Sequence, residues 1–227
     1  MNSIREIVFD TETTGFDPFS GDRVIEIGCV VLINKIVQTG EENQFHRYCN
    51  PRRDVPESAV KVHGLTAEML ADKPYFEDVM DEFLDFVGDD ILVAHNAEFD
   101  KKFINWELEN AGRKPIPAAQ FKDTLAIARG KYPGAQNSLD ALCRRFGIEN
   151  GHRTLHGALL DSEILADVYV ELEGGRQTGL ELTVEKKKAF VQTEKKKREP
   201  RSFPLTDAEL EAHKDYIMAL KDPLWGR

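Results

Sequence analysis

The sequence predicts an α/β fold in which a mixed sheet is covered by helices and followed by a C-terminal extension. Three strand patterns occupy the first 50 residues, and the short connections between them favour an antiparallel meander. Helical and strand patterns then alternate over residues 76–172, which adds parallel strands with helices on the sheet faces. Beyond Gly174, charged runs with few apolar residues indicate a linker rather than a folded core.

The three strand patterns are rich in β-branched and aromatic residues. Residues 7–9 are Ile, Val and Phe, and they lead directly into Asp10-Thr11-Glu12. Residues 23–32 form a longer β-branched run, and residues 43–49 predict the third strand. The following segment, residues 56–66, is expected to be irregular or to form a short helix.

Apolar residues recur with a helical period over residues 76–87 and residues 97–110, and Phe99, Phe103 and Ile104 mark the inner face of the second helix. Between these helices, residues 91–94 form an apolar run that is typical of a buried parallel strand. The remaining predicted elements are a short strand at residues 121–124 and helices at residues 125–131, 139–146 (capped by Ser138) and 159–172.

The composition is that of an ordinary globular protein, with 41% hydrophobic and 31% charged residues. No apolar run approaches the roughly 20 residues that a membrane span requires, and no signal segment opens the sequence. Three scattered cysteines without a Cys-x-x-Cys pair predict a cytoplasmic protein without structural zinc. Residues 1–172 hold 18 Lys and Arg against 30 Asp and Glu, which argues against a protein that grips long duplexes through many phosphates.

Asp10 and Glu12 pose an electrostatic problem. Residues two apart on a strand share a face, so both carboxylates point the same way at the end of a buried strand. Like charges held this close repel, and their burial is costly without compensation. A divalent cation such as Mg²⁺ resolves the repulsion because it prefers carboxylate oxygens. The alternative is an Asp-Thr turn with Glu12 exposed, so the metal hypothesis requires further carboxylates.

Two later segments supply these carboxylates. Asp100 lies about one turn into the helix that follows His95, and Asp161 lies in the first turn of the last core helix. His156 precedes that helix, so its less constrained backbone lets the side chain reach a site beside it. Taken alone, either aspartate could instead stabilise a helix dipole, and His156 could be a capping or surface residue. His95 is expected to order its loop.

Together, three segments resemble the motifs of the DEDD exonuclease superfamily, specifically its histidine-containing (DEDDh) branch. They are Phe9-Asp10-Thr11-Glu12-Thr13-Thr14-Gly15, His95-Asn96-Ala97-Glu98-Phe99-Asp100 and His156-Gly157-Ala158-Leu159-Leu160-Asp161. The resemblance covers roughly residues 4–173 and is closest to the proofreading members of the superfamily. It implies an RNase H-like fold and the removal of nucleotides from a DNA 3′ end.

The resemblance also implies a role for each catalytic residue. Asp10, Glu12 and Asp161 would hold one divalent cation, Mg²⁺ or Mn²⁺, with Asp10 bridging to a second cation that Asp100 supports largely through water. Two cations about 3.5–4 Å apart clamp the attacking and leaving oxygens of an in-line displacement. His156 would act as the general base, since neutral histidine is available near pH 7. The rate is therefore expected to fall at acidic pH, and the products would be nucleoside 5′-monophosphates.

Further residues are expected to contact the substrate. Val62-His63-Gly64-Leu65-Thr66 resembles the family segment that borders the 3′-terminal nucleotide, and the alternative for His63 is a loop-ordering hydrogen bond. The family often carries a glutamate where this chain has Ser58, with Glu57 adjacent. Phe99 is expected to stack on a base, although a core role also explains it. The full expected substrate-binding set is Asp10, Thr11, Glu12, Ser58, His63, Phe99 and Asp161.

The extension is interpreted as an interaction segment. The predicted organisation is an exonuclease domain at residues 1–173, a flexible linker at residues 174–204 and a docking helix at residues 205–227. Within the linker, residues 177–182 fit a sliding-clamp-binding pattern through Gln177, Leu180 and Leu182, and a plain linker is the alternative. The terminal helix and Trp225 resemble the segment that docks on the polymerase subunit. Affinity for DNA would then come from the polymerase and clamp through effective concentration.

Three functions remain open at this point. The first is a proofreading 3′→5′ DNA exonuclease at the replication fork, acting on single-stranded or frayed 3′ ends with a polymerase subunit, a clamp and a small accessory subunit as partners. The second is a free-standing RNA-trimming or DNA-repair exonuclease, which has no evident use for the two-part extension. The third is a tethering subunit with an inactive site, and the presence of all five catalytic-type residues disfavours it.

Overall fold

A computed structural model describes residues 3–151, 155–175 and 204–221. The strands are β1 (Arg5–Thr13), β2 (Val24–Ile33), β3 (Ile36–Val37), β4 (Gln44–Tyr48), β5 (Ile91–Ala94) and β6 (Phe121–Asp123). The helices are α1 (Glu57–His63), α2 (Ala67–Leu70), α3 (Phe76–Val87), α4 (Ala97–Asn110), α5 (Thr124–Lys131), α6 (Leu139–Phe146), α7 (Ala158–Leu172) and α8 (Asp207–Ala219). None of the helices in these residues has the length and apolar character needed to cross a membrane.

Strand β1 lies at the centre of a six-stranded mixed sheet. It pairs antiparallel with β2 from Arg5 to Thr13, and parallel with β5 from Glu6 to Val8. β6 extends the sheet beside β5 in parallel, while β3 and β4 both pair with the other edge of β2. The predicted combination of an antiparallel meander with parallel strands is confirmed.

Helices cover both faces of the sheet, and the alternation of strand side chains sorts β1 residues between them. Ile7 and Phe9 belong to the core formed with α3 and α4, where Phe103 is fully buried. Val8 belongs to the core formed with α7, where Tyr169 is fully buried. α5 and α6 pack beside α7 in a further apolar cluster. Asp10 and Glu12 follow Val8 in this alternation and therefore face α7.

Two local features were not specified by the sequence prediction. Asn34 and Lys35, at φ +52° and +65°, form the tight turn that leads from β2 into the short strand β3. Such turns favour glycine at these angles, and Lys35 gave no such signal. Residues 56–66, expected to be irregular or to form a short helix, contain α1, which ends at Gly64 in the left-handed conformation. The short helix α2, capped by Thr66, follows this segment and was not predicted.

The chain divides into two units, Met1–Gly179 and Leu180–Arg227. Within the second unit, α8 opens with a reciprocal cap, in which Glu209 N donates to Thr206 Oγ1 at 3.4 Å and Thr206 N donates to Glu209 Oε2 at 2.8 Å. A helix is therefore present within the predicted segment 205–227, over Asp207–Ala219, and its docking role stays a prediction. Gln177, Leu180, Leu182 and Trp225 lie outside the described residues, and the assignments of these residues and of the domain boundaries stay predictions.

Glu6 places a buried carboxylate at the start of β1, on the face toward α7. Lys35 Nζ lies 2.6 Å and Lys122 Nζ 3.4 Å from its oxygens, and Tyr169 donates its hydroxyl to Oε1 at 2.6 Å. Burial alone would raise the pKa of Glu6, but the contacts with Lys35 and Tyr169 and the attraction of both ammonium groups outweigh it. The pKa of Glu6 therefore lies below its usual value.

Glu6→Gln is expected to lower the free energy of unfolding by about 1–3 kcal/mol at pH 7. A depressed pKa contributes stability above the ordinary glutamate pKa of about 4.3, and this contribution is lost as the pH falls through the folded-state value. The free energy of unfolding of each protein is measured by urea denaturation. The difference between wild type and variant should be equal at pH 7 and pH 6 and should shrink below about pH 4.3. Glu109→Gln, at an exposed position of α4, is the control and should change stability by less than about 0.5 kcal/mol. A difference that grew on acidification would contradict the assignment.

Candidate active site

The site lies where β1 extends beyond the end of its pairing with the parallel strand β5. β1 continues to Thr13, whereas its pairing with β5 ends at Val8. The chain leaves β5 at Ala94, turns through Asn96 at φ +70° and enters α4. The first turn of α4 therefore occupies the space beside β1 that a longer β5 would fill. Crevices outside the carboxyl ends of parallel strands are the usual ligand sites of α/β sheets.

Asp100 is attached to β1 in this crevice. Its Oδ1 accepts hydrogen bonds from Thr11 N at 3.1 Å and from Thr11 Oγ1 at 2.7 Å. Asp100 is only 3% exposed, and burial raises the pKa of Asp100 to about 7 despite the hydrogen bonds from Thr11, which act to lower it. A cation beside this carboxylate would favour its charged form.

An ion pair between a partly exposed arginine and a buried glutamate anchors α4 and so fixes Asp100. Arg23 Nε and Nη2 donate to the two carboxylate oxygens of Glu107 at 2.8 and 2.7 Å. Val24 N also donates to Glu107 Oε1, at 3.2 Å. Because a bidentate pair constrains both distance and orientation, it holds α4 against the start of β2.

On the other face of the sheet, α7 brings Asp161 to Glu12. One ligand atom from each of Glu12, His156 and Asp161 lies within 4.8 Å of the other two. His156 Nδ1 is 3.1 Å from Asp161 Oδ2, and the His156 side chain is 47% exposed while that of Asp161 is 5% exposed. A half-exposed imidazole therefore borders a pair of buried carboxylates.

Gly28 allows α7 to approach the sheet this closely. Gly28 lies in register with Asp10, and a Cβ at Gly28 would stand 2.2 Å from Leu159 N and 2.3 Å from Ala158 C. Ser162 Oγ donates to Gly28 O at 2.9 Å. The backbone of the first turn of α7 thus lies directly against β2. Gly28 and Ser162 are not among the predicted site residues, although a glycine inside a strand is a signal of close backbone approach.

The segment that carries His156 is also attached to α1. His156 N donates to Val62 O at 3.0 Å. A Cβ built at Gly64 would lie 2.7 Å from Leu155 Cδ1, so Leu155 packs closely on the end of α1. These contacts connect the imidazole to the helix that contains Ser58 and His63.

Two cavities meet at the end of β1. The larger has a volume of about 870 Å³ and extends to α5 and α6; the smaller, of about 160 Å³, is bordered by α1. The predicted site residues in the wall of the larger cavity are Asp10, Thr11, Glu12, Phe99, Asp100, His156 and Asp161. Those in the wall of the smaller cavity are Thr11, Glu12, Ser58, His63 and Phe99. The structure therefore gathers the predicted catalytic and substrate-binding residues around one strand end.

The alternatives left open for individual residues now have structural answers. His63 accepts a hydrogen bond from Leu65 N at 3.0 Å, which orders its loop, yet it also borders the smaller cavity, and burial lowers its pKa. Phe99 is half buried, and its ring centroid lies 4.9 Å from that of Phe103. It therefore packs against the core and also borders both cavities. His95 Nδ1 lies 2.9 Å from Thr124 Oγ1, as expected of a loop-ordering residue.

The position that often carries a glutamate in the family is occupied by Ser58, which is exposed and borders the smaller cavity. The neighbouring Glu57 is instead ion-paired with Lys61 at 2.9 Å. A hydroxyl, rather than a carboxylate, therefore faces this cavity from α1.

The donor set fits a hard divalent cation. Glu12, Asp100 and Asp161 are 8%, 3% and 3% exposed, and buried carboxylates of like charge are costly unless a positive charge compensates them. Carboxylate oxygens with an imidazole nitrogen at the rim suit ions of the magnesium and manganese type. The three acids come from β1, α4 and α7, so folding itself assembles the ligands.

Residues 7–169 match the model of the family described as Exonuclease. The DNA polymerase III subunit epsilon of Rickettsia felis is 43% identical to this chain over 228 aligned residues, which cover 97% of this chain and 98% of that protein. The subunit of the same name from Pasteurella multocida is 46% identical, with coverage of 95% and 89%.

Solved structures of exonucleases share the fold. Exonuclease X in complex with 5′ overhanging duplex DNA has a TM-score of 0.58 at 27% identity, covering 73% of this chain and 89% of that chain. The nuclease domain of 3′hExo, a DEDDh family member bound to rAMP, has a TM-score of 0.65 at 20% identity, covering 75% and 92%. At 20% identity, the similarity to the 3′hExo domain is evidence for the fold alone. The predicted RNase H-like architecture is confirmed.

Gly28→Ala is expected to reduce nuclease activity by about 100-fold or more, because the added Cβ would push α7 and Asp161 away from Glu12 and a shift of about 1 Å is costly to catalysis. It should also cost about 1–3 kcal/mol of stability through overpacking. Activity is measured on protein whose folding has been checked by circular dichroism and thermal melting. Gly130→Ala is the matched control, since Gly130 lies within α5 with nothing within 4 Å of an added Cβ; it should leave activity unchanged and stability equal or higher. Full activity of Gly28→Ala would show that α7 need not lie this close.

Proposed function

This chain belongs to the exonuclease family and is a metal-dependent 3′→5′ exonuclease homologous to the epsilon subunits of DNA polymerase III; from this premise we propose that it proofreads for that polymerase by hydrolysing the 3′-terminal phosphodiester of single-stranded or frayed DNA. The observation that supports this most is the convergence of Glu12, His156 and Asp161 within 4.8 Å, beside Asp10 and Asp100 in one cavity. The products are a nucleoside 5′-monophosphate and a strand shortened by one nucleotide.

We assign Asp10, Glu12 and Asp161 as the residues that would hold one divalent cation, Mg²⁺ or Mn²⁺; Asp10 and Asp100 would also serve a second cation. When bound, the cations stabilise the charge on the attacking and leaving oxygens of the in-line displacement. The contribution of the chain is to hold the carboxylates in place before substrate arrives. Thr11 does this for Asp100, because two hydrogen bonds to Oδ1 also fix the direction of Oδ2.

His156 acts as the general base. A carboxylate can only accept hydrogen bonds, so the hydrogen of the neutral imidazole lies on Nδ1, toward Asp161 Oδ2. The lone pair is then on Nε2, which receives the proton of the attacking water. Asp161 thereby selects the tautomer, and the exposure of the imidazole gives it access to water.

The smaller cavity holds the 3′-terminal nucleotide. Its wall combines the imidazole of His63, the hydroxyl of Ser58 and the ring of Phe99, which suits a sugar with a stacked base. Thr11 and Glu12 also border this cavity, so the terminal nucleotide lies next to the carboxylates that act on its phosphate.

The extension recruits the partners. We assign residues 177–182 within the linker (174–204) to a sliding clamp, and residues 205–227 to the alpha subunit of DNA polymerase III; a small accessory subunit is a further partner. Since residues 1–172 hold 18 basic against 30 acidic residues, their own attraction for DNA is weak, and tethering supplies the DNA end at high effective concentration. The protein then works in the cytoplasm, at the replication fork.

Replacing both β1 carboxylates, by Asp10→Ala with Glu12→Ala, is expected to lower activity by about 10³-fold or more, since the cation contribution of several kcal/mol is lost. Purified protein with Mg²⁺ or Mn²⁺ is tested on single-stranded DNA, mismatched primer–template and RNA. Chelation should abolish trimming by the wild type. The matched control is Glu41→Ala with Glu42→Ala, two exposed acids. Equal trimming by wild type and the Asp10/Glu12 variant would refute the site, and faster trimming of RNA than of DNA would favour the free-standing RNA-trimming alternative.

Deleting residues 203–227 is expected to abolish co-purification with the polymerase alpha subunit while single-stranded DNA is trimmed at the wild-type rate. Gln177→Ala combined with Leu180→Ala and Leu182→Ala should weaken clamp binding and keep the polymerase contact, so each variant controls for the other. Retained polymerase binding by the deletion variant would contradict the docking assignment.

A further inference from the structure

We propose that Arg129 binds an internucleotide phosphate of the DNA strand that remains after cleavage, in a groove that leads from the carboxylates to the junction of α5 and α6. This inference rests on the proposed exonuclease function and adds to it the direction in which the retained strand leaves the site. The ligand is a phosphodiester of single-stranded DNA on the 5′ side of the scissile bond.

The arrangement of the two cavities gives this direction. Thr11, Glu12 and Phe99 border both of them, so the cavities lie on either side of the end of β1. A bond cut at these shared residues leaves one product on each side. The smaller cavity, of about 160 Å³, is bordered by α1 and receives the terminal nucleotide, whereas the larger one, of about 870 Å³, has room for the next nucleotides of the strand.

Helix α5 forms part of the wall of the larger cavity. Leu125 and Arg129 both line it, and residues four apart on a helix share a face. Arg129 is also near enough to His95, another residue of this wall, for its positive charge to add to the effect of burial in lowering the pKa of His95. The guanidinium is therefore placed at the cavity and not on the outer face of α5.

The charge of Arg129 is available to a ligand. Within the part of the chain that the structure describes, Arg129 is the only arginine or lysine in this wall, and it is exposed without a hydrogen bond or ion pair. Neighbouring basic side chains already have hydrogen-bond partners. Lys131 donates to Leu172 O, and Arg145 donates to Gln136 O at 3.0 Å. A guanidinium fork matches phosphate oxygens in geometry as well as in charge.

The wall beyond Arg129 is braced. Asn137 is buried and donates to Tyr132 O at 3.2 Å and to Ala135 O at 3.1 Å. Its Oδ1 accepts a hydrogen bond from Arg145 at 3.2 Å, and the adjacent Ser138 caps α6. The loop between α5 and α6 therefore presents a fixed surface across the groove from the carboxylates.

The test compares substrates with and without an upstream phosphate. The p-nitrophenyl ester of thymidine 5′-monophosphate carries only the phosphate that is cleaved, whereas an oligothymidylate carries further phosphates. Arg129→Ala is expected to raise KM for the oligothymidylate about tenfold at low salt, the loss typical of one charged hydrogen bond, with an effect on the ester of at most about twofold. The plot of log(kcat/KM) against log salt concentration should become shallower by about 0.7 for the oligothymidylate.

Two further variants complete the experiment. Arg129→Lys keeps a positive charge but loses the fork, so its KM should lie between those of wild type and Arg129→Ala. Arg144→Ala is the matched control, because Arg144 is an exposed arginine in the last turn of α6 that does not line the cavity; it should leave both substrates and the salt dependence unchanged. Thermal melting verifies that each variant is folded.

The possible outcomes are distinct. If wild-type protein hydrolyses neither substrate, the proposed function fails. If it hydrolyses both, the inference is overturned when Arg129→Ala has wild-type KM for the oligothymidylate, when it impairs the ester to the same degree, or when Arg144→Ala reproduces its effect. A selective rise in KM with a reduced salt dependence supports the phosphate contact.

Discussion

The offset between β1 and β5 is the constraint on which the site depends. Pairing with β2 holds β1 extended to Thr13, but pairing with β5 stops at Val8. Backbone groups beyond that point need other partners, since burying an N–H group without a hydrogen bond is costly. The partner of Thr11 N is the carboxylate of Asp100. The hydrogen bond that satisfies the backbone therefore also brings a carboxylate from α4 to the strand end. The same extended segment presents Glu12 to α7 on the opposite face.

The negative charges of buried carboxylates are compensated differently at the two ends of β1. At the start of the strand, Glu6 is compensated by Lys35, Lys122 and the Tyr169 hydroxyl, and its pKa is depressed. At the far end, acids from β1, α4 and α7 converge, and burial raises the pKa of Asp100 to about 7. The first arrangement is complete within the chain, whereas in the proposed function a cation would stabilise the second. This difference in compensation along one strand distinguishes a structural carboxylate, Glu6, from the acids that we propose as metal ligands.

Most of the architecture is encoded locally and could be predicted. The periodicity of residues 76–87 and the apolar run of residues 91–94 specify α3 and β5 because each element needs only its own buried face to be identified. The five proposed catalytic residues were likewise predicted from their motifs, and all five border one cavity. The contact between Gly28 and Ser162 could not be, because it joins residues 134 positions apart and depends on how closely α7 approaches β2. The turn at Lys35 also escaped prediction, since its positive φ is set by the hairpin rather than by the residue type.

The charge distribution is consistent with the proposed role of the acidic core beside a polymerase. Residues 1–172 hold 18 basic against 30 acidic residues, so long-range electrostatics oppose the approach of a duplex. In the proposed function, the cavity receives a strand end through local contacts, which an end with unpaired bases can make. Such a site competes poorly for a correctly paired 3′ terminus that the polymerase retains. Because a mismatched terminus is already partly unpaired, the energy needed to free it is smaller. In the proposed role, selectivity for errors would then arise from the pairing energy of the DNA, with tethering providing the concentration and the nuclease providing the cut.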